Sequence, residues 1–240
     1  MAYKHLFSEG HIGGMKTKNR LVMPPMVRNY ADENGLVTQR YIDHIERVAK
    51  GGVGTIILEA SYISLEGKGF LNELGLHNDN VIPGFKKLAA AAHTYDVKIG
   101  TQLYHAGRQT SSKTSGVQPV APSPLPDPTV NEMPRELTKQ DIQTLIRAYA
   151  EAARRCKEAG LDFVEIHGAH GYLITQFLSP FSNRRTDAYG GTAEKRMNFL
   201  LQVYGAVREQ VGADFPIIVR LSGDEGVEGG LTIKDTKLIA

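Results

Sequence analysis

Cysteine occurs once, at Cys156, so no disulfide can form within the chain. A lone cysteine suits a reducing compartment, and its apolar neighbours at helical spacing point to packing rather than to a reactive thiol. Lysine and arginine form no runs, and 28 basic against 26 acidic residues leave a net charge of +2. Nucleic-acid binding therefore has no electrostatic footprint. No apolar stretch reaches the ~18 residues of a membrane span, and the first residues lack the apolar core of a secretory signal. The expectation is a soluble, cytoplasmic protein. A Gly-x-Gly-x-x-Gly turn after a strand is missing, which argues against a Rossmann dinucleotide site. The Gly-x-Ser-x-Gly elbow of the hydrolases is missing too. His167 and His170 stand three apart, but no third ligand, second cluster or His-Glu-x-x-His helix accompanies them, so no metal site is expected.

What is present reads as strands alternating with helices in one domain, residues 1–240, with 41% hydrophobic residues to build a core. Turn signals at Glu9-Gly10 and Gly13-Gly14 suggest a small hairpin capping one end. Arg20-Leu21-Val22-Met23 is a short apolar run halted by Pro24-Pro25, the first core strand. Ile42, Ile45, Val48 and Ala49 repeat at helical spacing up to Gly51-Gly52. Val53 to Ala60 is a second, buried strand. Phe85, Leu88, Ala89 and Ala92 mark a helix, and Val97 to Leu103 a third strand. Residues 106–136 carry six prolines, from Pro119 to Pro134, and are predicted to be one long loop. Thr138 to Asp141 is a capping box opening a helix that Gly160 closes. Leu161 to His167 is strand four, Tyr172–Leu178 a short helix, Met197 to Val211 a longer one, and Ile217 to Ser222 strand five. Thr232 to Asp235 looks like a second capping box. This alternation predicts parallel pairing with right-handed crossovers, in a parallel α/β sheet that looks cut short.

Candidate chemistry collects at the strand ends. Val164 and Ile166 would face helices, so Glu165 and His167 would point the other way. Inward polar groups at the C-terminal end of a buried strand are where parallel α/β proteins keep their chemistry. The plainer alternative is a hydrogen-bonded core histidine or a helix cap. By the same alternation Gln102 and Arg220 turn inward, so Gln102, His167 and Arg220 could converge at one rim. A buried guanidinium must be paired or face a ligand. Either Arg220 pairs internally with Glu165, or it is aimed at an electron-rich cofactor. Neutral imidazoles at 167 and 170 could hold a substrate oxygen, and the Tyr172 hydroxyl could deliver a proton.

At these residues the sequence resembles the Old Yellow Enzyme family of FMN-dependent ene-reductases, the NADH:flavin oxidoreductases. Six motifs follow in the family's order. Lys18-Asn19-Arg20 precedes Pro25-Met26, and Glu59-Ala60-Ser61 closes strand two. Gln102-Leu103-Tyr104-His105-Ala106-Gly107-Arg108 closes strand three, and His167-Gly168-Ala169-His170-Gly171-Tyr172-Leu173 follows strand four. Then come Leu178-Ser179-Pro180-x-Ser182-Asn183-x-Arg185-Thr186-Asp187-x-Tyr189-Gly190-Gly191 and Val219-Arg220-Leu221-Ser222. The resemblance implies a (β/α)8 TIM barrel with FMN at its C-terminal mouth, truncated here after about five βα units. It implies that Pro25, Met26, Ala60, Gln102 and Arg220 line the isoalloxazine, with Arg220 near N1 and the C2 carbonyl and Gln102 on the pyrimidine edge. His167 and His170 would bind the carbonyl of a small activated alkene. Hydride from reduced N5 would reach the β-carbon, and Tyr172 would protonate the α-carbon. NADH or NADPH would reduce the flavin first.

Three departures from the family pattern stand out. Val27 replaces a flavin-tuning Cys or Thr, Asn29 replaces a Tyr that some members place at the substrate site, and the last three strands, whose loops hold the FMN phosphate, are missing. A non-catalytic reading follows, in which a partial barrel binds FMN weakly or not at all, or forms a homo-oligomer through its exposed edge. Among enzymes, multidomain relatives of the 2,4-dienoyl-CoA reductase, enoate reductase and trimethylamine dehydrogenase types are the alternative. Those carry a 4Fe-4S cluster just after the barrel, which only a longer parent chain would include.

Overall fold

A computed structural model describes residues 3–240. Strands β1 (Gly10–Ile12) and β2 (Met15–Thr17) form the predicted antiparallel hairpin. The chain then alternates: β3 (Val22–Met23), α1 (Gln39–Lys50), β4 (Thr55–Tyr62), α2 (Ile82–His93) and β5 (Lys98–Tyr104). A helical turn, α3 (Ser112–Ser115), and two short strands, β6 (Val120–Ala121) and β7 (Arg135–Glu136), precede α4 (Lys139–Glu158). The rest is β8 (Phe163–Gly168), α5 (Leu173–Leu178), α6 (Ala193–Val211), β9 (Ile217–Leu221) and α7 (Ile233–Ile239). The central sheet runs β3-β4-β5-β8-β9 with every neighbouring pair parallel. Strand order equals chain order, which makes a curled half-barrel rather than a doubly wound sheet.

Local chemistry explains the boundaries. Thr138 Oγ1 accepts from Asp141 N–H at 3.1 Å while the Asp141 carboxylate accepts from Thr138 N–H at 2.8 Å, a reciprocal cap that starts α4. Arg135 is the main reason the Asp141 carboxyl is held down at about 2. Ile142, Leu145, Ile146, Tyr149, Ala153 and Cys156 form the buried face of α4, as the spacing predicts. The Cys156 thiol is free and buried, and burial pushes its pKa up, so it packs rather than reacts. Ile56, Leu58, Ile99, Leu103, Val164 and Ile166 face the helices in one core, each contributing about 1.5–3 kcal/mol by leaving water.

The structure corrects two of the expected boundaries. Residues 106–136 are not one open loop. They hold α3 and the parallel pair β6–β7, and an inserted guanidinium satisfies their backbone. Arg185 Nη1 donates to the carbonyls of Pro122 at 3.0 Å and Leu137 at 2.7 Å, and Arg185 pairs with Asp187. Prolines lack an N–H and cannot build a ladder, so side chains supply the missing donors. Asn183 braces its own loop, donating to the carbonyls of Phe177 and Tyr189, both at 2.7 Å. The Leu178–Gly191 motif thus braces this segment through Arg185.

Strand β4 also runs two residues beyond Ala60, past a bulge. Leu58 pairs with Thr101 and Ala60 with Gln102, which leaves Glu59 as the extra residue. Before the bulge, Ile56 and Leu58 face the helices. After it, Ala60 and Tyr62 face the opposite way, in a second cluster with Tyr104 and Ala106. Among the described residues, β3 and β9 are the outer strands; Val22 is 46% exposed and every residue of β9 is half-buried. No helix among the described residues is long and apolar enough to cross a membrane.

Candidate active site

The register of the sheet places the chemistry. Ala60, Gln102, Glu165 and Ile218 are successive partners across β4, β5, β8 and β9. Two residues further along, towards the C-terminal rim, His167 partners Arg220. Ile217, Val219 and Leu221 pack on the helix side, so Ile218, Arg220 and Ser222 turn inward. Gln102, His167 and Arg220 therefore meet at one rim, as the alternation predicts.

The internal pairing of Arg220 with Glu165 holds. Its Nε donates to Glu165 Oε1 at 2.8 Å, and Gln102 Nε2 donates to the same oxygen at 2.6 Å. Glu165 is 2% exposed, whereas the Arg220 side chain keeps a third of its surface open. One edge of the guanidinium is tied down. Its Nη1 makes no hydrogen bond among the described residues.

The imidazoles are built by a tight turn. His170 takes φ +61° and Gly171 φ +73°, which folds the chain back over β8. The turn is clamped on both sides: His170 N–H donates to Ser222 Oγ at 3.0 Å, and Gln109 Nε2 donates to the His170 carbonyl at 2.9 Å. The two rings lie 5.0 Å apart, with His170 Nδ1 3.3 Å from His167 Nε2. Burial first, then His170 and Arg220, pushes His167 down to about 3, so its ring is neutral at pH 7. Its Nδ1 accepts from Ala169 N–H at 3.3 Å, which puts the ring proton on Nε2. His170 is also shifted down, by burial and then by Arg220.

Tyr172 follows the turn at the N-cap of α5. Its ring lies 5.1 Å from His167 and 4.6 Å from Tyr104, edge-on to both. Burial pushes its phenol up, so it holds its proton at neutral pH. Pro25 and Met26 follow β3, two strands from Gln102. Met26 is 44% exposed, and the next residue, Val27, packs on the Ala60–Tyr104 cluster alongside Tyr172. No group of three or more metal-ligating side chains occurs among the described residues.

Residues 5–240 match the model of the NADH:flavin oxidoreductase / NADH oxidase family. The chain belongs to this family. It is 50% identical over 240 residues to an NADH oxidase of Thermoanaerobacter brockii, covering 99% of this chain and 37% of that protein. In structure it resembles 2-naphthoyl-CoA reductase, with a TM-score of 0.95 and 33% identity over 99% of this chain and 38% of that one. It also resembles an Old Yellow Enzyme homologue of Zymomonas mobilis, with a TM-score of 0.86 and 32% identity over 96% and 67%. The chain thus spans a little over a third of the NADH oxidase and two-thirds of the shorter enzyme. The family is one of FMN-dependent oxidoreductases that take electrons from NAD(P)H.

The residues present fit that cofactor. A carboxamide, an open guanidinium edge and a small Ala60 suit the polar rim and flat face of a flavin. Several supports of this site carry no signal of their own in the sequence. Ser222 and Gln109 hold the His170 turn, and Tyr104 backs Tyr172. Glu59 stands in the sequence as part of a motif, and a carboxylate after three apolar residues is the local anomaly that marks it.

Proposed function

We propose that this chain supplies the flavin- and substrate-facing part of an FMN-dependent, NAD(P)H-driven reductase of activated alkenes. The observation that carries the reading is the register pair His167–Arg220, with Tyr172 beside His167, at one rim of the sheet. FMN would supply hydride transfer when bound. Pro25, Met26 and Ala60 would wall its face, Gln102 would hydrogen-bond its pyrimidine edge, and Arg220 would favour negative charge there.

Substrate handling falls to the turn after β8. His167 is neutral with its proton on Nε2, so it can donate to a carbonyl oxygen without competing as an acid. His170 supplies a second ring nitrogen beside it. Tyr172 keeps its proton and is placed next to the His167 ring, so its hydroxyl can give that proton to the carbon that becomes electron-rich.

The test is purification of the full-length protein. Bound FMN in the absorbance spectrum, with NAD(P)H consumed under anaerobic conditions only when a cyclic enone is added, supports the proposal. A flavin-free protein, or one that oxidises NAD(P)H with oxygen but leaves the enone untouched, sinks it. The 37% and 38% coverages favour a second reading, the N-terminal part of a multidomain flavoenzyme carrying a 4Fe-4S cluster. Iron and acid-labile sulfide in the same preparation decide between the two.

A further inference from the structure

Glu59 is the bulged residue of β4, and bulges re-aim side chains. Its carboxylate is 1% exposed and reaches two different loops. Oε2 accepts from Arg28 N–H at 2.5 Å, in the segment after β3. Oε1 accepts from Leu74 N–H at 3.0 Å, in the segment after β4. Leu74 is itself fixed to the strand end, since Tyr62 N–H donates to its carbonyl at 3.0 Å. Glu59 therefore ties the β3–α1 loop to a rigid part of the sheet. That loop carries Pro25 and Met26, and its Val27, one residue before the Glu59-bonded amide, packs in the same cluster as Ala60 and Tyr172.

We propose that Glu59 is a positioning residue: its ionised carboxylate, by holding the Arg28 and Leu74 amides, sets the Pro25–Val27 wall against the flavin face and against Tyr172. The inference rests on the flavin reading above. The ionised form accepts most strongly from both amides, because protonation turns one oxygen into a hydroxyl, a weaker acceptor. Burial pushes Glu59 up to about 7, with the Arg28 and Leu74 amides pulling the other way. The charged or titratable groups facing it are Arg28 from the loop after β3, Tyr41 from α1, and Glu73 from the loop after β4. Protonation of Glu59 near neutral pH would slacken the wall.

The experiment compares the full-length protein with Glu59→Gln in two measurements. In flavin-free protein, amide exchange at Arg28 and Leu74 is followed by mass spectrometry or NMR. In the second, the FMN dissociation constant is measured from pH 5.5 to 8.5. Wild type is expected to protect both amides and to bind FMN more tightly as pH rises through about 7. Glu59→Gln is expected to lose protection at one of the amides, to bind FMN about tenfold more weakly at pH 8, as for one lost charged hydrogen bond, and to lose the step near pH 7. The variant shares any titration of the FMN phosphate, so that background cancels. If Glu59→Gln does not fold, Glu59→Asp keeps the charge but is too short to span both loops; it should loosen the amides and keep a pH step. Amides that loosen while FMN affinity stays at wild type overturn the proposal, as does an unchanged pH step in Glu59→Gln. Failure of the flavin reading shows up differently, as a wild-type protein that binds no FMN at any pH, and it overturns this proposal with it.

Discussion

The Arg220 guanidinium meets the Glu165 carboxylate through Nε at 2.8 Å and through Nη2 at 3.4 Å, so a buried anion holds a cation whose Nη1 stays open. The pair fixes the direction of Arg220 and also neutralises part of its charge. In Glu165→Gln the amide keeps much of the geometry and loses the counter-charge. The reduction potential of bound FMN is then expected to rise, by on the order of 30 mV, which for a two-electron couple is a tenfold change. Spectroelectrochemical titration of both proteins measures it; an unchanged or lower potential removes Arg220 from the role assigned to it.

Tyr172 touches both His167 and Tyr104 and keeps its proton because it is buried. In Tyr172→Phe the ring contacts remain while the hydroxyl is gone. Alkene turnover should fall by roughly 10²–10⁴, the range for a positioned general acid. Flavin reduction by NAD(P)H, followed by stopped-flow absorbance, should keep its wild-type rate. Equal losses in both half-reactions would mean that Tyr172 is not the proton donor.

Two buried imidazoles set an acid limit to stability. His105 is pushed down to about 4 and His167 to about 3, in both cases first by burial. Below the unfolded value near 6.5 the unfolded chain binds protons that these folded rings refuse. Stability is therefore lost as pH falls from 6.5 towards those folded values, by about 1.4 kcal/mol per pH unit for each ring. His105 Nδ1 also accepts from Gly107 N–H at 3.0 Å, a bond that protonation would break. Glu59 acts in the other sense: its folded value near 7 exceeds the unfolded 4.5, so protonation on acidification relieves part of its burial cost. Glu73, which burial pushes well above its ordinary value, acts with Glu59, so the imidazole share is read as a difference. Between pH 7 and 5 the urea midpoint should fall more, or rise less, in wild type than in His105→Gln, and equal profiles contradict it.

Gly107 tests the loop that carries His105 and Arg108. It sits at φ +61°, and a Cβ there would overlap the Gln176 carboxamide. Gln176 bonds Arg108 N–H and the Ala106 and Gly171 carbonyls, so it has nowhere to move. Gly107→Ala should cost about 1–3 kcal/mol from overpacking and the unfavourable backbone, read as a lower melting temperature. A change within the error of the melt would show the loop to be pliable.

Much of this was legible in the sequence. Alternation alone turned Gln102, His167 and Arg220 to one face, and the register puts them there. Periodicity found the buried face of α4, and Thr138 with Asp141 marked its start. The illegible parts depend on contacts distant in sequence. Nothing local shows that Arg185 would feed the carbonyls of Pro122 and Leu137, 63 and 48 residues away, so residues 106–136 read as an open loop. The choice between an internal partner and a ligand for Arg220 could not be made either. Pairing through Nε while Nη1 stays open is a matter of side-chain geometry, and spacing does not encode it.

The extra residue in β4 makes that strand two half-strands spliced out of phase. Even-numbered residues serve the outer shell up to Leu58 and the cavity from Ala60 onward. Closing the bulge without shortening the strand would swing Ala60 and Tyr62 towards the helices and Ser61 towards the cavity, whereas deleting Glu59 would leave their faces unchanged and remove the carboxylate that joins the two loops.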